Sequence, residues 1–357
     1  ECTSTPKPST AAPTAPADPS PLRVFIGTWN MNGRHGNDQD LSCWLRLPRG
    51  PPPDVVALGC QEFVALSINS MLLPSVKQRI AFERLALSML AHLHGVQYTP
   101  VRSAGYDAPA QLVGLLLCLF VRTPLALDVE DVHSEIVKTG FHGLTGNKGA
   151  ITLRLSLRGA SLCFVNVHLP AGRSAEAKEQ RNAAMREVMR VLTLNFRVAS
   201  ESGRPIPPPM SHTACFVFGD LNYRLSLSNL EVRWRVASPQ WRQLLFFDQL
   251  TQQLGGEPGS AFDGFSEEEV HFRPTYKFDV GTNIYDSSEK RRPPAWTDRV
   301  LFTGGRHVHS ELYEACANAI ASDHKPVKAL FELRHTLPHS VPAHGILHPF
   351  KDRGRDS

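Results

Sequence analysis

The sequence predicts a layered α/β sandwich, on three observations. Short apolar or alternating runs outnumber helix-periodic ones, several of those runs alternate in polarity, and two longer stretches carry an apolar stripe at helical spacing. Alternation marks sheets with one face buried against another sheet, and striped helices cover the outer faces. The G-x-G-x-x-G and G-x-x-x-x-G-K-[ST] fingerprints are absent, so dinucleotide-binding and P-loop architectures have no support.

Taken in order, residues 1 to 21 hold six prolines among Thr, Ser and Ala with no aromatic residue. Such a composition cannot offset its ordering entropy, and a disordered lead-in is expected. Strands follow at VFIGTW and DVVALGCQ. A helix is predicted from Ser75 to Leu93, with Phe82, Leu85, Ala86, Met89 and Leu93 on one face. LVGLLLCLFV, AITLRLSL and SLCFVNVHL read as strands. A second helix runs from Ala175 to Phe196 with Met185, Val188, Leu192 and Phe196 inward. Gly203 to Pro209, with four prolines, predicts an exposed loop before the strand CFVFGD, and PVKALFEL is a further apolar run. Residues 336 to 357 are taken as a tail.

Lys and Arg number 38 against 34 Asp and Glu, a net charge of +4 that permits attraction to phosphates or anionic membranes without demanding either. Seven cysteines lack CxxC spacing and sit mostly in apolar runs, as buried thiols of a reducing compartment do. The longest apolar run, Leu112 to Val121, falls far short of the ~20 residues of a membrane span, and no leader precedes it. A cytoplasmic location is expected. The chain begins at Glu1 without a Met, which suggests a domain excised from something larger.

Candidate chemistry gathers where strands end, because a sheet fixes the backbone while the side chain reaches a cleft. TWN offers Asn30, GCQE Glu62, NVHL His168, GDLN Asp220 and Asn222, and SDH Asp323 and His324. Singly, each has a bland reading as a turn former, an Asx cap or a core histidine. Together, carboxylates with carboxamides and no clustered Cys suit an oxygen-liganded Mg²⁺ rather than zinc. Cys60, beside Gln61 and Glu62, lacks a C-x₅-R phosphate loop and reads as core.

TWNMNG, GCQE, TGNKGA, VNVHLPAG, FGDLNYR, PTYKFD, PPAWTDRVLF and SDHKPV stand in the order and approximate spacing of the inositol polyphosphate 5-phosphatases, which the chain resembles from about Leu22 to Leu333. This family lies within the endonuclease/exonuclease/phosphatase superfamily. The Asn, Glu, His, Asp-x-Asn and Asp-His positions alone are shared with DNase I-like nucleases, whereas FGDLNYR with PTYKFD and PPAWTDR is specific to the 5-phosphatases. The resemblance implies a single catalytic domain over residues 22 to 335, a four-layer α/β/β/α sandwich of the DNase I-like type.

It also implies roles. Glu62, with Asn30 and Asp323, would hold Mg²⁺ against an oxygen of the 5-phosphate. Asp220 would accept the proton of the attacking water, Asn222 would orient that water or bind the phosphoryl group, and His168 and His324 would donate to its non-bridging oxygens. Asp298 would pair with His324. Tyr276, Lys277, Lys290 and Arg292 match the segment that grips the 4-phosphate; the bland reading of SEKRRPP is a solvated basic loop. Asn147, Lys148, Tyr223, Arg224 and Arg299 are further phosphate-facing or supporting candidates, Arg299 serving packing equally well. Implied partners are phosphoinositide head groups at a membrane surface, met transiently, or soluble inositol polyphosphates. The stretches GRPIPPPMSH and FVALSINSMLLPSV look idiosyncratic, and Ser70, Met71, Leu72 and Leu73 are candidates to touch lipid chains or to dock on the core.

Two rivals remain. A nucleic-acid phosphodiesterase of the same superfamily needs an extended basic groove with stacking aromatics, which +4 and scattered Phe and Trp do not supply. A non-catalytic phosphoinositide-binding scaffold predicts a broken metal or water-activating position, and all of them are intact.

Overall fold

The computed structural model describes residues 20–34, 38–48, 50–64, 76–103, 110–112, 114–140, 145–194, 207–256 and 260–334. The predicted lead-in up to residue 19, the predicted tail, Ser70 to Leu73 and Phe196 lie outside them.

Two sheets stack face to face. The first orders β12 (Val308–Ala315), β13 (Val327–Leu333), β1 (Leu22–Asn30), β2 (Val55–Gln61), β5 (Leu115–Arg122) and β3 (Tyr98–Pro100), with β4 (Ala110–Leu112) also on β5. The second orders β10 (Ser266–Glu267), β11 (Asp298–Phe302), β9 (Ala214–Asp220), β8 (Ala160–His168), β7 (Thr145–Leu157) and β6 (Val129–Gly140). Among the described strands only β1 with β2 and β8 with β9 run parallel. These strands, and the antiparallel β5, are covered on both faces, which is why their sequences read as near-continuous apolar runs.

Alternation sorts the core into three layers. Val24, Ala57, Leu117, Leu153, Phe164, Phe216 and Phe331 lie between the sheets. Phe25, Leu58 and Phe120 face outward onto α1 (Asp38–Leu45) and α2 (Val76–His94). Cys163, Val165 and Val217 face the opposite way onto α3 (Ala175–Leu194) and α5 (Gln249–Leu254), while α4 (Asn229–Ala237) packs Val232 and Val236 at the edge of the central layer. The helix–sheet–sheet–helix order is the one implied by the sequence.

Three local expectations change. Leu85 is exposed, because the buried stripe of α2 centres on Phe82, Ala86 and Leu90 and brings Glu83 inward to meet Arg102. Pro209 is buried and Pro207 and Pro208 are half-buried, so the described part of the proline-rich stretch is not an exposed loop. The buried guanidinium of Arg154 holds it down by donating to Pro207 O (2.7 Å). β3, β4, β6, β10, β11, β12, α1, α4 and α5 were not predicted. β6 and β12 are edge strands with one face toward water, and polar residues there mask the period-two pattern.

Candidate active site

At one rim of the sandwich the inward-facing rows end in polar residues. On β1 the row runs Val24, Ile26, Thr28, Asn30; on β8 it runs Leu162, Phe164, Asn166, His168; on β9 it runs Ala214, Phe216, Phe218, Asp220. Asp298 opens β11 in register with Asp220, which is in turn in register with His168. Glu62 follows β2 in the left-handed region (φ 46°), and Asp323 and His324 precede β13. Six segments far apart in sequence thus deliver their side chains to one place.

Asn30 Nδ2 donates to Glu62 Oε1 (3.2 Å) and to Asp220 Oδ2 (3.0 Å), joining the two sheets. His168 Nε2 lies 3.3 Å from Asp220 Oδ2 and 3.9 Å from Glu62 Oε1, and it also contacts the Lys148 ammonium. Burial would raise the Asp220 carboxyl pKa. The hydrogen bond from His168 and the charges of His324 and Lys148 outweigh burial and hold it well below the usual carboxylate range. Burial, with the Lys148 charge adding to it, lowers His168 and favours the neutral imidazole. Burial also lowers Lys148, against the pull of Asp220 and Glu62.

His324 behaves oppositely. Burial disfavours its charge, yet Asp298 accepts from Nδ1 at 2.9 Å and, with Asp220 and Asp323, raises the pKa to about 9. The Asp298 carboxylate is fixed by Thr275 Oγ1 (2.6 Å) and Thr297 Oγ1 (2.9 Å). The rim therefore holds one neutral and one cationic imidazole on either side of an ionised carboxylate. Asn222, left-handed at φ 58°, returns its N–H to Asp220 Oδ1 (3.0 Å) and donates from Nδ2 to Leu169 O (3.1 Å).

One layer deeper lies a polar set that sequence reasoning missed. Gln61 Nε2 donates to Asn166 Oδ1 (2.7 Å) and Thr28 Oγ1 (3.1 Å), while Asn166 Nδ2 donates to Leu116 O (2.9 Å). All three side chains are fully buried and connect β1, β2 and β8 directly beneath Asn30, Glu62 and His168. Gly59 makes the close approach feasible, since a Cβ there would lie 2.7 Å from Asn166 Cγ and 2.6 Å from Phe218 Cε2. A carboxamide inside an apolar run, as in CFVNVH, was the available signal. Ser322, whose hydroxyl donates to Asn30 O (2.6 Å), was missed too.

The substrate candidates separate. Tyr276 lies at the rim, its ring 4.6 Å from that of His324 and 4.5 Å from the Arg224 guanidinium. Arg224 also donates to the Asn222 side chain. Lys277 is salt-bridged to Asp323, so that carboxylate already has a lysine partner. Lys290 is exposed, and Arg292 is partly exposed beside Asp286 (3.5 Å). Tyr223 does not face the cleft: it is buried against α3, with its hydroxyl on Asn182 Oδ1 (2.6 Å). Arg299 takes the packing alternative, fully buried between Asp248 (2.7 Å) and Glu267. The Asn147 side chain lies outside the described residues. Cys60 faces the helix layer, as expected of core.

Residues 27–330 match the Endonuclease/Exonuclease/phosphatase family 2. The chain belongs to this family. Within the family, the inositol polyphosphate 5-phosphatase domain of SPsynaptojanin, solved in complex with inositol (1,4)-bisphosphate and calcium ion, superposes at a TM-score of 0.74. It is 31% identical over 88% of this chain and 84% of that one. The polyphosphatidylinositol phosphatase INP53 of Saccharomyces cerevisiae is 38% identical over 323 residues, 89% of this chain and 27% of that protein. Human synaptojanin-1 is 37% identical over 304 residues, 80% of this chain and 18% of that protein. The chain spans between 18% and 32% of the length of such curated relatives. Cimex nitrophorin shares the fold at 22% identity (TM-score 0.66), a likeness that carries architecture alone.

The 5-phosphatase-like rim fits a hard divalent ion. Glu62 and Asp220 converge on one amide edge, and the Glu62 side chain is 35% exposed, leaving carboxylate oxygen open to the cleft. Asp220, Asp298 and His324 also bring ligand atoms within 4.8 Å of one another. That trio makes a poor cage: a protonated His324 cannot ligate, and the Asp298 oxygens already accept from His324 Nδ1 and two threonine hydroxyls. Asn30 turns Nδ2 toward Glu62 and Asp220 and Oδ1 toward Asn32 N (3.1 Å), so ligation by Oδ1 beside those carboxylates requires the amide to turn over.

Proposed function

We propose that this chain hydrolyses the 5-phosphate of phosphoinositides such as PI(4,5)P₂ and PI(3,4,5)P₃, and of soluble inositol polyphosphates, by direct attack of water. The observation that carries this reading is the resemblance, at 31% identity over most of both chains, to a domain solved with inositol (1,4)-bisphosphate. That compound is what remains when a 1,4,5-trisphosphate loses its 5-phosphate. Mg²⁺ bound by Glu62, with Asn30 as the second candidate ligand, would neutralise charge on the 5-phosphate and stabilise the departing inositol oxygen. The other steps belong to the side chains. Asp220, held ionised, orients the water and takes its proton as the O–P bond forms and the water acidifies. The His324 cation donates to a non-bridging oxygen, Asp298 holds its ring, and Lys148 and His168 face the same phosphoryl group. Among the described residues no helix is long and apolar enough to cross a membrane, which is compatible with action on a membrane surface from the cytoplasm.

The deciding experiment is phosphate release from a phosphoinositide panel with Mg²⁺ and with excess EDTA, a supercoiled plasmid serving as counter-substrate. Release that requires Mg²⁺, with the plasmid intact, is expected. Nicking of the plasmid without phosphate release would assign the site to a nuclease, and binding without turnover would assign it to a scaffold.

Head-group choice is assigned to the basic segment beside Tyr276. Lys277 is an unsuitable probe because its removal also frees Asp323. Lys290 and Arg292 are the cleaner pair, and charge-assisted contacts to phosphate are worth ~1.5 to 3 kcal/mol each, or roughly 10- to 150-fold. The Lys290→Ala, Arg292→Ala double variant is expected to lose most of the preference for short-chain PI(4,5)P₂ over PI(3,5)P₂ in kcat/KM while keeping its Mg²⁺ requirement. An unchanged ratio would make SEKRR an ordinary solvated loop.

A further inference from the structure

Among the six described cysteines, all free, Cys43 alone is partly exposed. It lies on α1, against the turn that follows β12, where Cys316 is buried. Cys316 Sγ donates to Cys43 O at 3.2 Å, which sets its sulfur against the Cys43 residue, and the Lys328 ammonium donates to the same carbonyl (2.9 Å). Lys328 is balanced by Glu314 (3.1 Å). A second contact joins the same elements, Ile320 N to Asp40 Oδ1 (2.8 Å), so helix and turn are already registered.

We propose that Cys43 and Cys316 form an oxidant-responsive pair, Cys43 being the thiol that attacks a peroxide and Cys316 the thiol that resolves the product to a disulfide. The Cys43 thiolate attacks one peroxide oxygen, the O–O bond breaks, and hydroxide leaves, giving Cys43 sulfenic acid. The Cys316 thiol then attacks that sulfur and water departs. The two thiols are oxidised by two electrons and the peroxide is reduced by two.

The environment of Cys43 suits the first step. The neighbouring Cys316 thiol lowers its pKa most, burial opposes this, and Lys328 assists, leaving it at about 6, which favours the thiolate near neutral pH. The remaining cysteines supply internal controls. Cys60 and Cys118 are pushed up by burial. Cys163 and Cys215 are register partners on β8 and β9 and are also in contact, but both are fully buried, and peroxide has no access to them. Proximity alone does not distinguish the Cys43 pair; proximity with access and a stabilised thiolate does.

The test is thiol mapping of the folded chain in a Cys2→Ser background, exposed to equimolar hydrogen peroxide, alkylated, digested and read by mass spectrometry. Expected is one linked peptide pair containing Cys43 and Cys316, lighter by about 2 Da than the two reduced peptides and separated by dithiothreitol. The other four described cysteines should become alkylatable only after unfolding. In the Cys316→Ser variant a dimedone adduct on Cys43 should replace the disulfide. Untreated, Cys43 should react with iodoacetamide at pH 7 at least ~10-fold faster than any other described cysteine. Cys43 recovered reduced after peroxide, or recovered as stable sulfenic acid while Cys316 is present, overturns the proposal. None of these readouts depends on phosphatase turnover.

Discussion

Asp220→Asn is expected to lower kcat for phosphate release by at least ~100-fold, the lower end for losing a group that receives the proton of the nucleophile. The change keeps the shape of the side chain and its place beside Asn30, His168 and the Asn222 N–H, but removes the charge that His168, His324 and Lys148 stabilise. Glu62→Gln should produce a loss of similar size by a different route, and excess Mg²⁺ should restore part of it. Thermal melts on both variants establish that folding is intact. A kcat within tenfold of wild type in Asp220→Asn would remove Asp220 from the water-activating role.

Asp298→Asn is expected to move the alkaline limb of the activity profile. In the wild type Asp298 raises His324 to about 9, so the cation survives across the neutral range and activity should fall only as pH rises through about 9. Without that charge, burial is opposed only by Asp220 and Asp323, so the pKa falls and the alkaline limb should move toward the 6.5 of an ordinary imidazole. At pH 8 an imidazole of pKa 6.5 is roughly 3% protonated, a loss of about 30-fold relative to a saturated cation, recoverable on acidification. The sign for stability follows the same logic. A histidine raised in the folded state contributes stability below its unfolded pKa and loses it as pH rises through the folded one. A variant whose limb stays near pH 9 would show that the active form does not depend on the His324 cation.

The sequence made the central strands and the rim residues legible for one physical reason. β1, β2, β5, β8 and β9 are covered on both faces, so their apolar runs stand out, and a polar residue ending such a run at Asn30, Glu62, His168 or Asp220 is conspicuous. β6 and β12 were illegible because edge strands share their composition with loops. The supports of the site were illegible for another reason. Thr275 and Thr297 matter only because the fold brings both hydroxyls to one Asp298 oxygen, and Tyr223 was misassigned because a motif reports adjacency along the chain, not the side of the strand end from which a side chain leaves. The Lys277 pairing with Asp323 was hidden for the same cause: nothing in PTYKFD or SDHKPV records that the two segments meet.

In the first sheet β1 lies between β2 and β13, its Leu22 in register with Leu333. A ribosome delivers Asn30 well before His324, and at roughly 5 to 20 residues per second the interval between them is on the order of tens of seconds. Throughout that interval β1 has one edge paired with β2 and the other open, on a strand apolar on both faces, the condition most prone to wrong pairing. The nascent chain is exposed to such mispairing until β13 arrives. The rim is completed by the same closing event, so a partly made chain holds Asn30, Glu62, His168 and Asp220 without His324.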